Sequence, residues 1–110
     1  MESNPAKPEY IHTLLAEFRR MPGNTGILRR NDRMLAAALY DRGVPLLAVQ
    51  NALILAAARR ILRSPGAPPL QPVRSLHYLL PVIDEVLHVP AAQNYYRYLQ
   101  LKLDAALKSK

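Results

Sequence analysis

Nine arginines between residues 19 and 63 are the side chains of this sequence best suited to chemistry with a charged ligand. They are Arg19, Arg20, Arg29, Arg30, Arg33, Arg42, Arg59, Arg60 and Arg63. The same stretch holds only two acids, so it carries a net charge of +7, and the rest of the 110 residues is neutral overall. A planar guanidinium forks onto phosphate and carboxylate oxygens and stacks on flat rings, whereas lysine is a simple point charge. The pattern therefore predicts an anionic partner, first of all nucleic acid.

The positions of these arginines within the predicted helices divide them into two kinds. Arg59, Arg60 and Arg63 end a predicted helix, where a cation complements the helix dipole by about 0.3–1 kcal/mol, which is reason enough for one or two of them. Arg29 and Arg30, with Arg33, precede or open a helix, where cations are mildly unfavourable. We assign this second group most readily to a phosphate backbone. The alternative is that arginine serves only as a good helix former whose stem covers apolar surface.

Residues 39–53 resemble a helix-turn-helix, with a helix, a turn at Gly43, and a second helix in which Val49 follows six residues later. On this interpretation Gln50 and Asn51 would face a DNA groove, and both side chains can bond adenine edges bidentately. The second helix is apolar nearly all round, however, which is typical of a buried core helix. Both interpretations stay open on the sequence alone.

The remaining reactive side chains do not form a recognisable catalytic or metal pattern. The chain has no cysteine, which excludes disulfides, thiolate zinc sites and cysteine nucleophiles. His12, His77 and His88 share no metal-ligand spacing, and Asp84 and Glu85 are adjacent on a helix and point in different directions. No phosphate-binding glycine loop or nucleophile elbow is present. We expect no enzymatic activity, no metal and no cofactor.

A run of tyrosines near the end of the chain could serve as a stacking platform for single-stranded bases or as a packing surface. Tyr95, Tyr96 and Tyr98 surround Arg97. The helical period places Tyr96 and Tyr98 on the apolar face and leaves Tyr95 exposed. We therefore favour packing, either in the core or in a homodimer interface.

Helical periodicity and helix breakers predict an all-α fold, a compact bundle of about five helices forming one domain over residues 1–110, with residues 1–7 flexible. The predicted segments are helices over 8–20, from 31 or 32 to 42, from 44 or 45 to 63, from 75 to 80 with a break at Pro81 before 82–87, and a last helix opened by Pro90. Residues 45–63 form the central apolar helix, and the proline-rich residues 64–73 form an extended connector. No segment alternates like a strand.

The sequence carries no pattern that directs it to a membrane or an oxidising compartment. Its first residues lack the apolar core of a signal peptide, and no run reaches about 18 apolar residues. We expect a soluble, cytoplasmic protein without a membrane partner.

Three segments together resemble helical domains of bacterial replication-initiation and mobile-element proteins. They are Arg42-Gly-Val-Pro-Leu, Ala58-Arg-Arg and Arg74-Ser-Leu-His-Tyr-Leu-Leu-Pro-Val-Ile-Asp-Glu-Val-Leu. The resemblance spans roughly residues 32–87, and in those proteins such a domain often accompanies a winged helix, which these 110 residues lack. It implies a setting in DNA metabolism, and DNA rather than RNA as the partner.

These observations lead to two expectations about function. The first is a small basic protein that contacts nucleic-acid phosphates through its arginine clusters, with Gln50 and Asn51 as candidate base contacts. The second is a helical protein-interaction module, either a dimer through the last helix or a receptor for an acidic partner, with no role in nucleic-acid binding.

Overall fold

The computed structural model describes residues 4–89 and 91–108, and these residues form a bundle of five α-helices. The helices are α1 (Lys7–Arg19), α2 (Arg30–Asp41), α3 (Leu46–Ile61), α4 (Leu80–His88) and α5 (Gln93–Lys108). A 3₁₀ turn, Leu76–Leu79, runs directly into α4. The predicted all-α bundle of about five helices is confirmed. Within the described residues, the only strand-like pairing is an isolated parallel bridge between Asn24 and Val73.

The helix boundaries differ from the prediction where proline is involved. Pro81 lies in the first turn of α4, where its missing N–H needs no partner, so the change from 3₁₀ to α geometry occurs just before it. Helix α5 begins at Gln93, later than predicted, while Pro90 and residues 1–3 lie outside the described part of the chain. Asn4 bonds the backbone on both sides of Pro45, through the carbonyl of Val44 at 3.1 Å and the N–H of Leu46 at 2.8 Å.

Helix α3 is the centre of the bundle, as its sequence predicts. Its buried residues include five alanines, whose small side chains allow neighbouring helices to approach closely. It packs against α1, α4 and α5. The turn before it contains Gly43 at φ +77°, the left-handed conformation that glycine adopts without strain.

Helices α1 and α2 form an antiparallel pair. At one end, Lys7 of α1 bonds Asp41 of α2 at 2.9 Å, and the rings of Tyr10 and Tyr40 meet edge to face with centroids 5.2 Å apart. The other end of the pair therefore brings the last turn of α1 beside the start of α2. This arrangement places the cations of residues 19–20 next to those of residues 29–33.

The proline-rich connector is anchored to the loop between α1 and α2. The N–H of Val73 donates to the carbonyl of Gly23 at 2.7 Å, and the N–H of Thr25 donates to the carbonyl of Val73 at 3.1 Å. The 3₁₀ turn begins three residues after Val73. The connector thus returns the chain to the start of α2 before α4 crosses α3.

Helix α5 packs on α3 through a small apolar cluster that is distinct from the main core, although Val82 and Val86 of α4 pack against both. The cluster consists of Leu55, Ala57 and Ala58 of α3 and of Tyr96, Leu99 and Leu103 of α5. Tyr96 is buried as predicted, whereas Tyr98 is 54% exposed and does not pack in the core, so of its two predicted roles only the interface remains a prediction. Because α5 rests mainly on a single helix, only a narrow stripe of its surface is covered.

None of the helices in the described part of the chain has the length and apolar character needed to cross a membrane. Within residues 4–89 and 91–108, no group of three histidine or acidic side chains is arranged to hold a metal ion.

Candidate nucleic-acid interface

The arginines at the end of α3 are engaged within the protein. Arg59 binds the carboxylate of Glu85 on α4 through both terminal nitrogens, at 2.9 and 2.6 Å. This hydrogen-bonded pairing holds the pKa of Glu85 below its ordinary value. Arg63 donates to the carbonyl of Pro68 at 2.7 Å, so its guanidinium holds the connector.

Arg60 contacts the connector, an aromatic ring and the loop between α1 and α2. Its Nη2 donates to the carbonyl of Gln71 at 2.9 Å, and its guanidinium lies 5.9 Å from the ring centroid of Tyr78. Gly23 leaves the necessary room, because a Cβ at that position would meet the guanidinium at 2.5 Å. Arg59, Arg60 and Arg63 were predicted as phosphate contacts, but each has an internal partner that explains its presence.

Gln50 and Asn51, the predicted base contacts, are hydrogen-bonded to side chains of neighbouring helices, and their role in reading bases stays a prediction. Asn51 is only 7% exposed, and its side-chain amide exchanges two hydrogen bonds with that of Gln93, at 3.0 and 3.2 Å. Gln50 donates to Glu17 of α1 at 2.9 Å. Both line a cavity of about 530 Å³ between α1, α3 and α5. Gln50 thus contacts α1, and Asn51 contacts α5.

The arginines at the junction of α1 and α2 are different, because they face solvent. This group, called the junction arginines here, consists of Arg19, Arg20, Arg29, Arg30 and Arg33. Within residues 4–89 and 91–108, none of the five side chains makes an ion pair or a side-chain hydrogen bond. Five exposed cations are thus carried by the adjoining ends of α1 and α2, and none of them is within ion-pair distance of an acid in the described residues.

A groove runs between α1 and the start of α2 beneath three of the junction arginines. Its volume is about 540 Å³, and it is lined by Arg19, Arg20 and Arg33 together with His12. The rest of the lining is apolar, from Pro8, Ile11, Leu15, Ala16 and Leu28. The groove therefore combines a cationic rim with an apolar floor.

The acid nearest to this cluster in sequence, Asp32, turns its charge inward. Its side chain is buried, and its two oxygens accept hydrogen bonds from the N–H of Arg29 and from the N–H of Leu76, both at 2.9 Å. The carboxylate thus fixes the first turn of α2 to the 3₁₀ turn. It positions the junction arginines without pairing with any of their guanidinium groups. The N-terminal end of the α2 dipole adds further positive potential at the same place.

Sequence reasoning missed Arg74 as a member of this surface. Arg74 is exposed and has no side-chain partner among the described residues, and it lies between Val73, which is bound to the α1–α2 loop, and Leu76, which is bound to Asp32. No local pattern points to it, because the pairing of the connector with residues 23–25 depends on backbone hydrogen bonds. Arg42, in contrast, caps the opposite end of α2.

This arrangement can bind several phosphate groups at once, since clustered guanidinium groups bind phosphate oxygens through charge-assisted hydrogen bonds. Comparisons of the chain with protein-family models, with curated proteins and with solved structures gave no match.

Proposed function

We propose that this protein binds nucleic acid through its phosphate backbone, at the surface formed by the junction arginines and Arg74. One observation carries the proposal: these cations are exposed and have no internal partner, whereas Arg59, Arg60 and Arg63 are bonded within the fold. Repulsion among neighbouring cations costs stability, so an uncompensated cluster favours a role in contacting an external polyanion.

The resemblance of residues 32–87 to helical domains of bacterial replication-initiation and mobile-element proteins supports a more specific setting. In this proposal the protein acts in the bacterial cytoplasm, in the replication or movement of DNA, and its ligand is DNA rather than RNA. The internal hydrogen bonds of Gln50 and Asn51 support binding with little direct readout of base edges.

The test is the salt dependence of binding to a fluorescently labelled oligonucleotide, measured by anisotropy. If the six arginines of this surface neutralise phosphates, the logarithm of affinity should fall with the logarithm of salt at a slope of about −5.4 for a duplex or about −4.2 for a single strand. Salt is varied between about 50 and 200 mM. Absence of binding at the lower salt concentration would refute the proposal.

A matched pair of variants separates this surface from general charge attraction. The double variant Arg29→Gln/Arg30→Gln removes two junction arginines, and Arg97→Gln/Lys108→Gln removes two exposed cations of α5. The first should lower affinity at least tenfold and reduce the slope by about 1.4 to 1.8, while the second changes affinity much less. Equal losses in the two variants would contradict the assignment of the surface.

A second candidate function is self-association, and the exposed side of α5 favours it. Tyr98 and Leu101 are 54% and 63% exposed, and with Ala105 they form a second apolar stripe opposite the one that packs on α3. Arg97 and Asp104 flank this stripe on one side. In an antiparallel pair of α5 helices the same flanks meet, so Arg97 of each copy would lie near Asp104 of the other.

Sedimentation measurements on Tyr98→Glu/Leu101→Glu test this second candidate. A dimer of the natural protein that becomes a folded monomer in the variant would support it. Glutamate at Tyr96 and Leu99 would not serve, because both side chains are buried in the cluster that attaches α5. A natural protein that stays monomeric at high concentration would refute self-association.

A further inference from the structure

The groove beneath the junction arginines has a floor that phosphate binding alone does not require. Five of its lining residues are apolar, and its volume of about 540 Å³ falls within the range of about 300–1,000 Å³ that is usual for small-ligand sites. A surface built only to attract a backbone could be flat and polar. The groove instead has a solvent-accessible apolar floor, with Arg19, Arg20 and Arg33 also in its lining.

Apolar side chains also continue beyond the groove among the same arginines. Ile27 and Met34 are both 58% exposed, and they lie next to Arg29, Arg30 and Arg33 along the chain. These exposed apolar side chains lie among cations that have no partner. Such a surface is complementary to a ligand in which negative charges and flat apolar groups follow one another at short intervals.

A duplex does not present such a surface, because its bases are stacked on one another and only their edges are accessible in the grooves. A single strand exposes a phosphate and the face of a base at each nucleotide. Guanidinium groups stack on base faces as well as binding phosphates, so the rim arginines can serve both parts of the nucleotide.

We propose that the groove between α1 and α2 seats an unpaired base, so that the preferred ligand is single-stranded nucleic acid. The base lies on the floor formed by Ile11, Leu15 and Leu28, and Arg19, Arg20 and Arg33 hold the adjoining phosphates. This inference rests on the proposed function and specifies its ligand class.

The experiment compares three labelled probes of equal length, about twelve nucleotides, with the intact protein. They are oligothymidylate, the same strand with abasic sites in place of its bases, and a mixed-sequence duplex. The abasic strand keeps every phosphate and removes every base face. We expect oligothymidylate to bind at least fivefold more tightly than either of the other two probes.

Uncharged variants then locate the effect in this surface. Ala16→Phe fills the groove, and Ile27→Ser/Met34→Ser removes the exposed apolar side chains without changing the net charge. Both variants should bind oligothymidylate more weakly than the natural protein does, and both should bind the abasic strand as tightly as it does. The control Leu70→Ser/Leu87→Ser alters two exposed apolar residues elsewhere and should have no effect. Because Ile27 and Met34 are exposed, their variant stays informative even if Ala16→Phe fails to fold.

The outcomes distinguish this inference from the proposal on which it rests. Equal binding of the three probes, or preference for the duplex, would overturn the base-seating inference and leave phosphate binding in place. Failure of all three probes to bind at low salt would overturn both.

Discussion

Replacing Asp32 by alanine should destabilise the protein more than any other substitution of an acid in the described chain. The Asp32 carboxylate accepts the N–H of Arg29 at the start of α2 and the buried N–H of Leu76 at the 3₁₀ turn, both at 2.9 Å. The second bond joins Asp32 to Leu76, which lies 44 positions later in the sequence. Alanine can accept neither of these hydrogen bonds.

The size of the effect follows from the groups that lose their partner. A buried N–H left unsatisfied costs about 1–3 kcal/mol, and loss of a side-chain cap at a helix start costs about 0.5–2 kcal/mol. Removing the buried carboxylate relieves part of its own desolvation cost, so we expect a loss of about 2–4 kcal/mol in the free energy of unfolding. This is a large part of the roughly 5–15 kcal/mol that stabilises a typical domain.

The assay is urea unfolding followed by circular dichroism, with Asp41→Ala as the matched control. Asp41 lies in the same helix, but its ion pair with Lys7 is exposed, and such pairs contribute only about 0.2–1 kcal/mol. The dependence of the unfolding free energy on urea should be unchanged in both variants if each remains two-state. A loss below about 1 kcal/mol for Asp32→Ala would refute the reasoning, since that is the lower limit for one unsatisfied buried N–H.

Three further predictions concern other parts of the fold. Burial raises the pKa of Tyr10 to about 12, so the stabilisation from its neutral hydroxyl is complete below the ordinary pKa of 10.0 and is lost as the pH rises toward 12. The unfolding free energy of Tyr10→Phe, measured in urea, should therefore fall less at alkaline pH than that of the natural protein, and an equal fall in both proteins would contradict this. The lowered pKa of Glu85 means that its stabilising interaction with Arg59 is present above the ordinary carboxyl pKa and is lost on acidification. In Arg59→Gln, the pKa of Glu85 measured by carbon NMR titration should rise toward its ordinary value, and an unchanged pKa would count against the pairing. Gly43→Ala should cost about 1–2 kcal/mol in unfolding free energy because φ is +77° there, although a Cβ would meet no neighbour; an unchanged midpoint in urea would show that the turn adapts.

The helices could be predicted from the sequence because each element carries its own period and its own breakers. The apolar residues of α3 recur on nearly every side, which indicated its central position, and Gly43 indicated the turn before it. These signals are local, since they depend on residues within one or two helical turns. The boundary of α5 was less accurate, because proline marks only where a helix can begin.

The candidate site could be predicted only in part. Arg29, Arg30 and Arg33 lie at a helix start, where the helix dipole does not favour a cation. This separated them from Arg59, Arg60 and Arg63, which have internal partners. That Arg60 would reach Gln71 depends on how the chain folds back, and the sequence carries no sign of it. The same holds for the groove floor, because α1 and α2 form it only when they pack in antiparallel fashion.

The separate attachment of α5 has a consequence for how the protein opens. Every buried side chain of α5 belongs to the cluster on the second half of α3, and none belongs to the main core. Helix α5 can therefore detach as a cooperative unit while the other helices stay folded, and its amide hydrogens should exchange faster than those of α1. Detachment uncovers Leu55, Ala57 and Ala58, which form a ready binding site for the α5 of another molecule. At high concentration two chains could then exchange this helix, giving a domain-swapped dimer in which each α3 is covered by its neighbour's C-terminal helix.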